Sequence, residues 1–240
     1  MGKYYKILSW IIGVCVLIFL IRYPLEINDS WKTWSLPLAG KTIVIDPGHG
    51  GVDGGAVGAD ETLEKDIALA VSKQLRDYLQ QGGAIVHLTR ENDTDLADEE
   101  ESSLSRRKSQ DIRRRVEFIN GKDADFYVSI HLNAIPSAKW HGAQSFYNPS
   151  SPESEKLAKF IQTEIRRNLE NTNRTALAMS NIYLVKHAAI PGSLVEIGFL
   201  SNAHERDLLK TKAYQRKVAA SIYEGILRYA TEEEAPEITN

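Results

Sequence analysis

Residues 42–51 read TIVIDPGHGG. The β-branched run 42–45 is typical of a buried strand, and the glycines after it let the backbone turn tightly into a loop. Asp60 and Thr62 then offer N-caps for a helix that runs to about Gln81. The stretch therefore predicts a strand, loop and helix in succession, which is the repeating unit of a parallel α/β sheet.

The alternation of strands and helices continues along the chain. Further strands are predicted at 84–89, 125–131, 143–147, 182–185 and 193–197. Further helices are predicted at 106–120, 153–169 and 202–229, the last with a break near Thr211. We expect one three-layer α/β domain, in which helices flank a mostly parallel or mixed central sheet.

Length and composition exclude several classes of protein. The chain has 240 residues, of which 42% are hydrophobic and 25% charged, as in an ordinary globular protein with a sizeable core. The net charge of −3 gives no support for nucleic acid as a partner. The one cysteine, Cys15, lies in the most hydrophobic stretch, which excludes disulfides, cysteine-ligated zinc and a soluble cysteine nucleophile.

Residues 1–23 are predicted to be a signal segment or a membrane anchor. The uncharged run 7–21 has 15 residues, with lysines before it and Arg22 after it. This is short of the ~17–25 residues of a spanning helix, but interfacial aromatic residues can extend the span. No small-residue cleavage site follows, which favours an uncleaved anchor. Either form of export places residues 24–240 outside the membrane.

The exported part is predicted to have three regions. Residues 24–40 are rich in turn-forming residues and are expected to form a linker whose second half docks on the domain. Residues 41–230 form the domain itself, and 231–240 are expected to be a flexible tail. Within the domain, the acidic run 98–101 is expected to lie in an exposed loop.

Polar side chains occur near the ends of three predicted strands. His49 follows the first strand, His131 ends the strand at 125–131, and Glu196 lies in the strand at 193–197. Parallel sheets gather their chemistry outside the carboxyl ends of the strands. A carboxylate within an apolar run is costly to bury unless it is paired or bound to a metal, and an arginine partner for Glu196 is the alternative.

Glu64 lies on the apolar face of the predicted helix. Apolar or aromatic residues follow it at offsets of 3, 7, 11 and 14: Ile67, Val71, Leu75 and Tyr78. We therefore expect Glu64 to project toward the sheet. Two histidines and one glutamate form a known catalytic zinc set, and a second glutamate can act as the base in metal-assisted hydrolysis. The alternative is a first-turn acid stabilised by the helix dipole.

These motifs resemble the zinc-dependent N-acetylmuramoyl-L-alanine amidases of the amidase-3 type, which hydrolyse peptidoglycan. The resemblance covers most of residues 41–230 and is carried by these stretches: 43–51, Glu64, 89–90, Arg115, Asn120, 125–134 and 195–202. It implies that His49, Glu64 and His131 bind one zinc ion and that Glu196 is catalytic. The bond cleaved would join the lactyl group of N-acetylmuramic acid to L-alanine.

Within the family, the short anchor and the segments 28–32 and 135–140 resemble members from endospore-forming bacteria. This implies action on spore cortex peptidoglycan, in the space between the membranes of the developing spore. The product would permit muramic lactam formation and so germination. Peptidoglycan stem peptides, the membrane and sporulation proteins are the partners that the resemblance implies.

Two other functions stay open. The chain could be a zinc-containing wall-binding or assembly protein without activity, or another zinc hydrolase of the same polymer, either a peptidase or a deacetylase. The arginine-rich helix at 106–120 is predicted to have a solvated face, with contact to stem-peptide carboxylates as the alternative. The remaining histidines are expected to be structural or on the surface: His87, His141, His187 and His204.

Overall fold

The computed structural model describes residues 2–22 and 36–231. The chain forms two compact units, Met1–Ser35 and Leu36–Asn240. Most of the predicted linker and tail, residues 24–35 and 232–240, lie outside the described residues.

The first unit contains helix α1, Gly2–Arg22. Its 21 residues span about 31 Å at 1.5 Å per residue, close to the ~30 Å hydrocarbon core of a bilayer. The window Gly2–Phe19 is apolar and has none of its residues buried. The helix is therefore longer than the uncharged run 7–21, and it is long and apolar enough to cross a membrane.

The second unit is built on a six-stranded mixed sheet in the order β2-β1-β3-β6-β4-β5. The strands are β1 (Thr42–Pro47), β2 (Ile85–Leu88), β3 (Phe126–Asn133), β4 (Gln144–Tyr147), β5 (Leu177–Ala178) and β6 (Gly192–Phe199). Strands β2, β1, β3 and β6 are parallel to one another, whereas β4 runs antiparallel to β6. The carboxyl ends of the four parallel strands therefore lie at one edge.

Helices cover both faces of this sheet. They are α2 (Glu64–Gln81), α3 (Leu104–Asn120), α4 (Pro152–Leu169), α5 (Tyr183–His187), α6 (Ala203–Leu209) and α7 (Lys212–Ala230). Ile43 and Ile45 pack with α2, α4 and α7 in the larger core, whereas Val44 points to the other face and packs with α3 and α5. The alternation along β1 thus places one strand between two helical layers, which confirms the predicted three-layer α/β class.

Residues 183–185 lie in helix α5 and Ile182 is its N-cap, so the strand predicted at 182–185 is wrong. Strand β6 is already paired with β3 on one side and β4 on the other, so its two edges are filled. Leu184 instead packs with Val44 and Tyr127 in the smaller core. Periodicity cannot separate a short apolar run in a strand from one in a buried helix.

Helix α2 begins later than the sequence predicts. Its N-cap is Leu63, which makes no side-chain capping bond. Asp60 instead accepts hydrogen bonds from Thr62 and from Lys210 of α6's C-terminal end. The predicted break near Thr211 is confirmed, since Thr211 caps α7 by accepting a hydrogen bond from the Tyr214 N–H.

Arg115 does not lie on the solvated face predicted for the arginine-rich helix. It is 2% exposed and forms ion pairs of 2.8 Å with both Asp46 and Asp111. Asp46 also accepts hydrogen bonds from Thr89 and Ser129. Burial alone would raise the pKa of Asp46, but Arg115 and these hydroxyl donors hold it below its usual value. The ion pair with Asp46 joins α3 to the end of β1, and Asp111, on the same helix, holds the guanidinium in place.

Replacing Arg115 by alanine is expected to destabilise the protein by about 3–5 kcal/mol, because it leaves the carboxylates of Asp46 and Asp111 buried without their cation. Urea denaturation measures the change. Arg113→Ala, at an exposed position of the same helix, serves as the control and should change stability by no more than about 0.5 kcal/mol. Equal effects from the two variants would contradict the structural role of Arg115.

Candidate metal and active site

His49 lies just beyond the carboxyl end of β1, in a loop held by buried arginines. Arg90 donates to the carbonyls of Pro47 and Gly48, and Arg115 donates to those of Pro47 and His49. His49 itself has a left-handed backbone with φ 58°. A non-glycine residue in this region is uncommon and is tolerated where the surroundings fix it. The loop therefore holds the imidazole in one place.

The two ring nitrogens of His49 have separate contacts. Nδ1 lies 2.8 Å from Oδ2 of Asp53, which also forms a 2.8 Å ion pair with Lys108 of α3. Nε2 lies 3.2 Å from Oε2 of Glu64. An Nδ1–H donated to Asp53 leaves the Nε2 lone pair free to bind a metal. Asp53 was not predicted as a site residue, although a carboxylate four residues after His49 in the same loop was a usable signal.

Glu64 is the first residue of α2 and is 2% exposed. Its Oε1 accepts a hydrogen bond from the Leu132 N–H at 2.9 Å, and its Oε2 accepts one from the Ala56 N–H at 2.7 Å. The predicted projection toward the sheet is confirmed. Since both oxygens are fixed by backbone donors, the carboxylate has one orientation.

His131 completes a cluster of three side chains. Its Nδ1 lies 2.9 Å from Oε1 of Glu64, and its ring meets that of His49 edge to face at 5.1 Å. The ligand atoms of His49, Glu64 and His131 all lie within 4.8 Å of one another. Two ligands about 2.0–2.1 Å from a tetrahedral zinc lie about 3.3 Å apart. The observed separations of 2.9 and 3.2 Å between nitrogens and carboxylate oxygens fit such an ion.

The electrostatics of the cluster also favour a cation. Burial would lower the pKa of His49, but Asp53 and Glu64 raise it to about 9. Burial would raise the pKa of Glu64, but His131 and His49 hold it well below its usual value. The surroundings thus stabilise positive charge between the rings and keep Glu64 ionised, which is what a divalent metal ion requires.

Glu196 stands beside this cluster on β6, as the Cα partner of His131 on β3. Burial raises the pKa of Glu196 to about 7, although His131 acts in the opposite direction. Its Oε2 is buried and has no hydrogen-bond partner among the residues that the structure describes. The arginine partner considered as an alternative is therefore not present in that part of the chain. Buried oxygens without a hydrogen-bond partner are rare in native proteins, so this one indicates a bound ligand or a functional role.

Gly48 leaves the space that the His131 ring occupies. A Cβ at position 48 would lie 2.4 Å from Cε1 and 2.6 Å from Nδ1 of that ring. Gly48→Ala is therefore expected to displace His131 and weaken zinc binding about 10–100-fold, as changes beside metal ligands do. Gly54→Ala is the control, because its Cβ meets only the flexible end of Leu63, at 3.2 Å. Calorimetric zinc titration compares them; equal affinities would contradict the steric argument.

The other histidines lie away from the cluster. His141 contacts the Asn171 carbonyl, the His187 ring packs on Tyr183 at 4.2 Å, and His204 lies in α6. Ser129, two residues before His131 on β3, donates to Asp46 and so supports the end of β1. Lys108 is exposed, as predicted, and it also contacts Asp53.

A mixed α/β sheet is typical of metal-dependent hydrolases when it carries a histidine–glutamate–histidine cluster at its carboxyl edge, next to a glutamate with a buried, unpartnered oxygen. Residues 43–228 match the family model described as N-acetylmuramoyl-L-alanine amidase. The chain belongs to this family, which confirms the predicted fold and enzyme class.

Relatives and solved structures agree with this assignment. The chain is 57% identical to the germination-specific N-acetylmuramoyl-L-alanine amidase of Bacillus subtilis over 98% of its own length and 99% of that protein. It is 33% identical to the amidase LytC of the same organism, over 80% of this chain and 36% of LytC. The CwlD amidase of Clostridioides difficile, solved in complex with the GerS lipoprotein, superposes with a TM-score of 0.78 at 42% identity. That match covers 80% of this chain and all of that one.

Proposed function

We propose that the protein hydrolyses the amide bond between the lactyl group of N-acetylmuramic acid and L-alanine in peptidoglycan, using one zinc ion and Glu196. The observation that carries this proposal is the buried, unpartnered Oε2 of Glu196 next to the cluster of His49, Glu64 and His131. The metal ligands and the proton-transferring group that amide hydrolysis needs are thereby side by side.

The three ligands would be Nε2 of His49, the carboxylate of Glu64 and Nδ1 of His131. When bound, zinc supplies a Lewis acid that activates water and polarises the scissile carbonyl. Asp53 holds the His49 ring through Nδ1, and the backbone N–H groups of Ala56 and Leu132 hold Glu64. These contacts fix the ligands before substrate arrives.

Glu196 moves the proton. Its Oε2 accepts a proton as water attacks the carbonyl carbon, and the carboxyl group then returns that proton to the departing amine of L-alanine. The amine needs this proton because an unprotonated amine is a poor leaving group. No covalent bond to the protein is required at any step.

We also propose that the substrate is spore cortex peptidoglycan, whose cleavage permits muramic lactam formation and germination. The extensive identity to the germination-specific relative supports this. The complex of the neighbouring CwlD amidase with a lipoprotein supports an exported sporulation protein as a partner. Peptidoglycan lies outside the cytoplasm, so the catalytic domain must act there.

A location outside the cytoplasm also agrees with a division of the chain into an anchor, a linker, a catalytic domain and a tail. We propose that residues 1–23 form an uncleaved membrane anchor, 24–40 a linker, 41–230 the zinc amidase domain and 231–240 a tail. The length and apolar surface of α1 support the anchor.

Mass spectrometry of peptidoglycan incubated with the purified full chain in detergent, with and without zinc, tests the activity. Release of whole stem peptides, dependent on zinc, is the expected result. Shortened stem peptides would indicate a peptidase, and loss of acetyl groups a deacetylase. Zinc binding without any product would indicate a wall-binding protein.

A further inference from the structure

Strand β4 and the segment before β5 form a surface on the side of Glu196 away from the metal cluster. His131, Glu196 and Gln144 are Cα partners across β3, β6 and β4. Side chains of directly paired residues lie on the same face of a sheet. Gln144 therefore continues the row that contains His131 and Glu196, and its Nε2 donates to the Thr175 carbonyl at 3.1 Å. This contact brings the segment around residue 174 next to the row.

Arg174 is held firmly on this surface. Its Nη1 donates to the carbonyls of His141 and Gly142, both at 2.6 Å. Its guanidinium carbon lies 5.6 Å from the ring of Trp140 and 5.2 Å from that of Phe199. Its own carbonyl accepts a hydrogen bond from the buried side chain of Gln162. Side chain and backbone are thus both fixed, which lowers the entropic cost of binding a ligand.

Within residues 2–22 and 36–231, Arg174 forms no salt bridge, and its Nε and Nη2 donate no hydrogen bond. Its charge acts on Glu205 only at longer range. The nearby carboxylate of Glu205 is taken by the N–H groups of Gly142 and Phe199. Nε and Nη2 together form the edge of a guanidinium that binds a carboxylate through two parallel hydrogen bonds. The Nε–Nη2 edge of Arg174 is therefore available to bind a carboxylate.

The position of Arg174 suits a carboxylate on the substrate. Because β4 is antiparallel to β6, the residues before Gln144 lie along the carboxyl end of β6, beside Phe199. Phe199 is three residues beyond Glu196, or about 10 Å along an extended strand. Two to three extended peptide residues span about 7–11 Å. A stem peptide whose first amide lies at Glu196 can therefore bring the carboxylate of its second residue to Arg174.

We propose that Arg174, clamped between Trp140 and Phe199, binds the free α-carboxylate of the second, D-glutamyl residue of the stem peptide and selects it over the amidated form. This inference rests on the proposed amidase function. It makes Arg174 a specificity-determining residue at one end of the substrate, while His49, Glu64, His131 and Glu196 act on the bond at the other.

Two substrates that differ in one group test the inference. The zinc-loaded full chain in detergent is assayed with N-acetylmuramoyl-L-alanyl-D-glutamate and with its D-isoglutamine counterpart, in which the α-carboxylate is an amide. We expect Arg174→Gln to reduce kcat/KM for the acid about 10–100-fold, mainly through KM, because a charge-assisted pair is lost. The loss on the amidated substrate should be clearly smaller, so that the preference of the wild type for the acid shrinks. Arg174→Lys, which keeps the charge but not the fork, should show a smaller loss on the acid.

The substrate pair separates recognition from folding. Arg216→Gln, at an exposed position of α7, is the matched control and should leave both substrates unaffected. Equal losses by Arg174→Gln on both substrates would overturn the inference and leave Arg174 only a structural support of the Trp140 loop. No loss on either substrate would also overturn it. If the wild type cleaves neither, the proposed function fails. Calorimetric binding of the acidic peptide then decides, and equal affinity in wild type and Arg174→Gln would overturn the inference.

Discussion

Glu196→Gln is expected to lower kcat about 10²–10⁴-fold, the usual contribution of a positioned general acid or base, while zinc still binds with unchanged affinity. Glutamine has the size and shape of glutamate but cannot accept the proton of the attacking water. The change falls beside the cluster of His49, Glu64 and His131 and not within it. Release of stem peptides measures turnover, and calorimetry measures zinc affinity on the same preparation.

The two measurements together assign the role of Glu196. Loss of turnover with retained zinc makes it the proton-transferring group. Loss of zinc from Glu196→Gln to the same degree as from a ligand variant would place Glu196 in the ligand set instead. Unchanged turnover would remove it from the chemistry altogether.

His131→Ala is expected to weaken zinc binding by more than about 100-fold, beyond the 10–100-fold typical of residues that only orient a ligand, and to abolish activity with it. In the proposed site His131 provides one of the two nitrogen ligands, and no other group of the cluster can replace its Nδ1, which lies 2.9 Å from Glu64. Zinc should raise the melting temperature of the wild type, because a ligand of the folded state stabilises it. It should not raise that of the variant.

His187→Ala is the matched control for this experiment, because its ring contacts Tyr183 and lies outside the cluster. It should keep both wild-type zinc affinity and the thermal shift. A His131→Ala protein that binds zinc as the wild type does would show that the three-ligand site is wrong.

Much of the site could be predicted from the sequence because a parallel sheet constrains it. Strands that run the same way end at one edge, so the histidines at positions 49 and 131 had to meet once β1 and β3 were recognised. Helical periodicity likewise fixed the direction of Glu64. In these cases a local pattern determines a side chain's place without knowledge of the tertiary structure.

Other features depend on contacts that no local pattern records. Arg115 lies in a charged stretch, and only its meeting with Asp46, 69 positions earlier, explains its burial. Lys108 likewise contacts Asp53, which lies far earlier in the sequence. The strand predicted at 182–185 is wrong because both edges of β6 are already paired, which only the sheet order reveals. Arg174 owes its place to the loop at 140–142, to Phe199 of β6 and to Gln162 of α4, which are distant from one another in the sequence.

The backbone hydrogen bonds to Glu64 indicate that folding and metal binding are separate steps. Both carboxylate oxygens are held by N–H groups of Ala56 and Leu132, with no metal needed to orient them. In small zinc domains the ion organises the chain, so folding and loading are one event. Here a large apolar core organises the chain, so we expect the proposed zinc ion to bind side chains that the fold has already placed. Folding and zinc binding would then be separate events, and the zinc concentration outside the membrane would control the fraction of active enzyme.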